Sequence, residues 1–261
     1  MSISKTSYYY KVKNYTGDKE IAVYLQGLSE NHRRWGFDKM RDKAQIDKKL
    51  WNHKRIYRIY CQLGLNIRIK PRKRIPSGEA KILIQPLRPN TCWSIDFMSD
   101  VLSSDRKFRT FNVLDDYNRE CLLIEPSFTL PANQVIQLLD QLAVTRGYPE
   151  MMRMDNGPEF RSKIFNEWAK RRHILLHYIQ PGKPAQNGFI ERFNRTYRED
   201  VLDMNLFTHL TEVRELTREW LELYNNERPH EALAGLPPIL FAKQRAKRIT
   251  NKLENSTLNQ C

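Results

Sequence analysis

The chain has little of several things, and each shortage narrows the field. Glycine and proline number only 10 and 13 in 261 residues, which excludes collagen-like and low-complexity classes. No stretch approaches the roughly 18 consecutive apolar residues of a membrane span. The opening segment MSISKTSYYYK has no apolar block, so a secretory leader is not expected. The four cysteines, Cys61, Cys92, Cys121 and Cys261, show neither CxxC spacing nor a neighbouring His pair. A zinc site is therefore not expected, and free thiols in a reducing compartment fit best. Internal repeats and heptads are absent as well. The expectation is a soluble, intracellular chain without membrane association, long enough for one large domain or two small ones.

What is abundant is positive charge, and it is segregated. Residues 1–90 hold 21 basic and 7 acidic side chains, whereas residues 91–261 hold 23 of each. A surplus gathered in the first third attracts a polyanion, of which nucleic acid is the commonest in a cell. A basic surface kept only for solubility is the plainer alternative.

Apolar spacing divides the chain. Ile21, Val23, Tyr24, Leu25 and Leu28 suggest a helix from Asp18, and Arg33-Arg34-Trp35-Gly36 reads as a turn before a second helix near Phe37. Asn52 is a good N-cap for a third helix, striped by Ile56, Ile59, Tyr60 and Leu63 and ended by Gly64. Its other face carries His53, Lys54, Arg55 and Arg58, which suits a helix-turn-helix recognition element or an ordinary amphipathic helix equally well. The boundaries read as a basic helical region over 1–66, a basic Pro-containing linker over 67–90, a core over 91–242 and a basic, polar tail over 243–261. Within the core, strands are expected at Cys92–Val101, Lys107–Leu114, Glu120–Glu125, Met151–Met154 and Ile174–Tyr178. Helices are expected at Pro131–Arg146, Ser162–Lys170, from near Asn187 to Val201, and at Glu212–Tyr224. That order describes an α/β architecture, a mixed sheet flanked by helices.

Three carboxylates stand out by placement, since spacing alone proves nothing among 30 acids. Asp96 interrupts the apolar strand Trp93-Ser-Ile-Asp-Phe97 and alternates to the opposite side from Ile95 and Phe97. Asp155 ends a strand and opens Asn156-Gly157, where α/β proteins display chemistry. Glu191 shares a polar helix face with Asn187, Asn194, Arg195 and Arg198. Each has a plain structural reading: a half-exposed strand residue, a turn former, and an i,i+4 partner for Arg195. Gathered at one point, they would repel unless a divalent cation neutralised them. Asp115 and Asp116 read as turn residues first.

With these residues in view, the chain resembles a known family. Trp93-Ser-Ile-Asp96-Phe97, Asp155-Asn-Gly-Pro-Glu-Phe160 and Pro181-Gly-Lys-Pro-Ala-Gln-Asn-Gly-Phe-Ile-Glu191-Arg-Phe-Asn look like the retroviral-integrase-like catalytic core. Closer still is the second-frame product of bacterial insertion sequences of the IS-three family. Asp155 and Glu191 lie 36 positions apart, the interval that family uses, and Tyr224-Asn225-x-x-Arg228-Pro229-His230 matches its closing segment. His32-Arg-Arg-Trp-Gly-Phe37 and the Trp51–Tyr60 segment look like its small helical DNA-binding region.

The resemblance implies an RNase H-like fold with a five-stranded mixed sheet and helices on both faces. It implies a polynucleotidyl transferase holding two Mg²⁺ ions (Mn²⁺ can substitute) on Asp96, Asp155 and Glu191. The reaction would free a 3′-OH at the element's ends and join it to target DNA. Lys183, Gln186, Asn187, Arg195 and Arg198 are then expected to contact DNA near the site, and Asn52, His53, Lys54, Arg55 and Arg58 to contact it from the helical region. Asn156 would orient Asp155 or substrate. The implied partners are DNA and further copies of the chain on it. In that family an upstream-frame helix-turn-helix protein can also be fused to this part. The implied location is the bacterial cytoplasm, at the nucleoid. A plain nuclease and a DNA-binding regulator remain the competing readings.

Overall fold

The computed structural model describes residues 17–67, 83–180, 182 and 184–258. The chain forms two units, Met1–Arg72 and Lys73–Cys261.

In the first unit, α1 (Asp18–Asn31), α2 (Phe37–Ile46) and α3 (His53–Gln62) surround a small apolar centre. Ile21, Leu25, Trp35, Met40, Ile56, Ile59 and Tyr60 fill it; Tyr24, Leu28 and Leu63 are partly buried against it, whereas Val23, read with the first stripe, is 68% exposed. Asn52 caps α3 as its sequence position suggested, its Oδ1 accepting from the Lys54 amide at 2.9 Å. Replacing Asn52 with Ala is expected to cost about 1 kcal/mol, read as a lower melting temperature of this unit.

The second unit is built on a five-stranded sheet. Its strands are β1 (Cys92–Val101), β2 (Lys107–Asp115), β3 (Cys121–Ser127), β4 (Met151–Met154) and β5 (Leu175–Tyr178). The order is β3-β2-β1-β4-β5. β1, β2 and β3 form an antiparallel meander, while β4 joins β1 and β5 joins β4 in parallel. This is the mixed, RNase H-like sheet that the resemblance implied.

Alternation along the strands makes two cores. Trp93, Ile95, Phe111 and Val113 point to one face, covered by α4 (Ala132–Arg146), the short α5 (Pro158–Arg161) and α6 (Lys163–Arg171). Met98, Phe108 and Leu114 point to the other, covered by α7 (Gly188–Tyr197) and α8 (Leu210–Asn226). The stripe Ile190, Phe193, Tyr197 and Val201 buries α7 on that second face. The helix widens into a π turn over Arg198–Leu202.

The C-terminal end departs from the sequence reading. Residues 243–261 read as a tail in sequence, but α9 (Pro238–Leu258) runs through most of them. Pro238 begins that helix, where a missing N–H costs nothing, and the basic composition beyond it masks the helical pattern. The linker over 67–90 falls mostly outside the described residues. Among the described residues no helix is long and apolar enough to cross a membrane.

Candidate active site

Asp96 sits in the middle of β1 on the face that α7 covers, paired in register with Asn112 of β2. The parallel register sets Cys92 beside Met151 and Ser94 beside Arg153. Carried two residues further, it brings Asp155, just past the end of β4, alongside Asp96. Glu191 lies one turn into α7, exposed at the surface of that helix. Two adjacent strands thus set Asp96 and Asp155 level with each other, and α7 carries Glu191 on the face that holds Asp96.

The electrostatics agree with that proximity. Burial pushes the Asp96 carboxyl up to about 7, and the negative charges of Asp155 and Glu191 push the same way. Hydrogen bonds oppose the shift: the Phe97 amide donates to Asp96 Oδ1 at 2.9 Å, and Asn194 Nδ2 donates to Oδ2 at 2.7 Å. Partial desolvation also raises Glu191, exposed though it is, and the charge of Arg195 opposes the shift. Among the described residues, no group of three His, Cys, Asp or Glu side chains is spaced to hold a metal ion as the side chains stand. Closing a cation site on Asp96, Asp155 and Glu191 would require side-chain rotation at one or more of them. All-oxygen, acidic donors around a desolvated carboxylate suit a hard divalent cation.

The Asp155 turn is stitched in place. Asp155 Oδ1 accepts from the Gly157 amide at 3.0 Å. A Cβ on Gly157 would stand 3.0 Å from that same oxygen, so the turn needs glycine for close approach rather than for its dihedral angles. Asn156 does not hold Asp155. Its Nδ2 donates to the Ile179 carbonyl at 2.9 Å, and its Oδ1 accepts from Arg161 at 2.8 Å, tying the turn to the end of β5.

The residues expected at DNA fall into several groups. Arg195 is exposed beside Glu191. Gln186 closes the loop before α7, its Oε1 accepting from the Gln180 amide at 2.9 Å. Asn187 is buried, at 2% exposure, rather than presented on the surface. Arg198 is turned to β1, donating to the Ser99 carbonyl at 2.8 Å and meeting Asp100 at 3.3 Å. Lys183 lies outside the described residues. On α3, Arg55 and Arg58 both meet Asp18, at 2.7 and 2.6 Å, Arg58 remaining exposed, and Asn52, His53 and Lys54 form the exposed start of that helix.

Sequence reasoning missed Asn112 and passed over Asn194. The signal for Asn112 was there: a lone amide in the run Phe111-Asn112-Val113-Leu114. It also missed the role of Asp116. That residue is fully buried, with Ser94 Oγ donating to Oδ1 at 2.6 Å and Arg153 pairing with Oδ2 at 2.6 Å. Asp115 meanwhile accepts from the Asn90 and Tyr117 amides, each at 2.9 Å. These two acids stabilise the β2–β3 turn.

Comparison with known proteins agrees with this architecture. The Integrase core domain family matches residues 86–184 and again residues 172–238. The insertion element IS407 31.7 kDa protein of Burkholderia multivorans is 36% identical over 94% of this chain and 89% of its own length. The chain belongs to the integrase-core family of insertion-element proteins. The IS476 39.2 kDa protein of Xanthomonas euvesicatoria is 37% identical over 85% of the chain, which spans 64% of that relative's length. The putative transposase InsK of IS150 from Escherichia coli is 25% identical over 93% of the chain and 90% of its own length. Integrase-core membership makes the chain a homologue of transposases.

Proposed function

We propose that the chain is a transposase that cuts DNA at the ends of its element and joins the freed 3′-OH to target DNA. The observation that carries this reading is the desolvated Asp96 carboxyl with Asp155 and Glu191 both acting on it. That concentration of negative charge is costly without a cation and suited to one. Asp96, Asp155 and Glu191 would hold two Mg²⁺ or Mn²⁺ ions, which supply activation of the attacking oxygen and stabilisation of the leaving one. The chain's own residues supply the rest. Gly157 lets the turn approach Asp155 closely, Asn156 and Gln186 brace the loops on either side, and Arg195 offers positive charge to a phosphate near Glu191. In the first unit, the exposed His53 and Lys54 at the start of α3 offer a DNA contact. The basic surplus of residues 1–90 strengthens it at low salt. Two DNA ends must be held for joining, so several copies acting on DNA, alone or fused to an upstream-frame protein, fit the reading.

The test is a joining assay with labelled oligonucleotides that carry the element's terminal repeats and end in a 3′-OH, in Mn²⁺. Strand-transfer products longer than the substrate are expected. Hydrolysis alone would make the chain a nuclease, and DNA retention without either product would make it a regulator. A pH dependence follows from Asp96. With its carboxyl raised to about 7, metal must displace a proton below that pH. Mn²⁺ affinity is therefore expected to rise about tenfold per pH unit up to near 7 and then level off, measured by calorimetric titration.

A further inference from the structure

We propose that Asn194 and Asn112 form a two-amide relay that fixes Asp96 and ties the helix bearing Glu191 to it, so both are positioning residues for the site. Resting on the metal-dependent reading above, this inference starts from donor and acceptor bookkeeping. In its ionised form, the one that binds a cation, the Asp96 carboxylate only accepts hydrogen bonds, so Asn194 aims its NH₂ at Oδ2, 2.7 Å away. Its carbonyl oxygen then faces Asn112, whose Nδ2 donates to it at 2.8 Å. Flipping the Asn194 amide would break both contacts at once, setting oxygen against oxygen at Asp96 and NH₂ against NH₂ at Asn112. The orientation of the middle amide is thus set by the Asp96 carboxylate, and the Asn112 amide follows it.

The far end of the relay carries a cost. Asn112 is fully buried, and its own Oδ1 has no hydrogen-bond partner among the described residues. Phe111, Val113 and Leu114 beside it are apolar and buried. An aliphatic side chain at 112 would suit the fold better, and an orphaned buried oxygen calls for a compensating role. That role is at the other end of the same side chain, where Nδ2 holds Asn194. Asn194 in turn lies three residues beyond Glu191 on α7, so one hydrogen bond fixes the Asp96 carboxylate and sets where the helix stands against β1. Each Asp96 oxygen keeps a lone pair free for a cation.

The test is calorimetric titration of Mn²⁺ into the full chain at pH 8. The samples are the wild type, Asn194→Leu, Asn112→Leu, the double variant and Asp96→Asn, each also melted without metal. The two Leu variants keep the volume and remove the amide. Asn194→Leu and Asn112→Leu are each expected to weaken Mn²⁺ binding about tenfold, the double variant also about tenfold rather than a hundredfold. Asn112→Leu should melt no lower than the wild type, which separates a positioning role from a structural one. Asn194→Leu binding within twofold of the wild type would overturn the proposal, as would additive losses in the double variant or a lower melting point for Asn112→Leu. Asp96→Asn separates the two layers. If it binds Mn²⁺ as the wild type does, the metal-dependent reading itself fails. If it loses binding while Asn194→Leu keeps it, the relay alone fails.

Discussion

Strand transfer is expected to fall by about a thousandfold or more when Asp155 is replaced with Asn, and by a similar factor for Asp96→Asn and Glu191→Gln. A carboxylate that helps hold a catalytic cation contributes several kcal/mol to transition-state charge stabilisation, and each 1.36 kcal/mol is about tenfold in rate. The amide is nearly isosteric, so the Asp155 turn should survive. In Asp155→Asn the side-chain carbonyl oxygen can still accept from the Gly157 amide, as Asp155 Oδ1 does at 3.0 Å. DNA retention in a filter or gel assay should change little, because the first unit's basic surface is untouched. Near-wild-type joining by any one of the three variants would remove that residue from the site.

The second large effect belongs to stability. Asp116→Ala leaves Arg153 as a buried guanidinium without its carboxylate, the two now 2.6 Å apart and 10% and 0% exposed at their side chains. Breaking such a pair costs about 3–5 kcal/mol, because the remaining charge stays desolvated. For a chain of this size that is a melting-temperature drop of roughly 6–20 °C. The Ser94 hydroxyl loses its acceptor in the same substitution. Replacing both members with apolar residues, Asp116→Leu with Arg153→Met, should recover most of the loss, since neither charge is then stranded. A melting temperature close to that of the wild type for Asp116→Ala would contradict this account of the pair.

Much of the fold was legible because it rests on local periodicity. The alternation of Trp93, Ile95 and Phe97 against Ser94, Asp96 and Met98 marked β1 and named its two faces. The spacing of Ile190, Phe193, Tyr197 and Val201 marked the buried side of α7. Asn52 announced the start of α3. The helix α9 was hidden because charge, not apolar spacing, dominates its sequence after Ala242.

The site was legible only in part, for a physical reason. The three carboxylates stand out as acids in places where an acid needs a reason. Long-range pairing leaves no such mark. Nothing in sequence says that Asp18 takes up Arg55 and Arg58, across 37 and 40 positions. Nor does it say that Arg198 bonds to Ser99, across 99 positions. Basic side chains that look free for DNA in a linear reading are thus engaged within the fold. Likewise Asn112 and Asn194 meet across 82 positions, and only the pairing of β2 with β1 under α7 reveals it.

The most direct test of the central claim is anomalous X-ray scattering at the manganese edge from crystals of the chain grown with Mn²⁺. The account predicts density bounded by the carboxylates of Asp96 and Asp155, with Glu191 turned towards it, and no such density in Asp155→Asn crystals. Manganese bound only elsewhere, or the same peak persisting in Asp155→Asn, would contradict it.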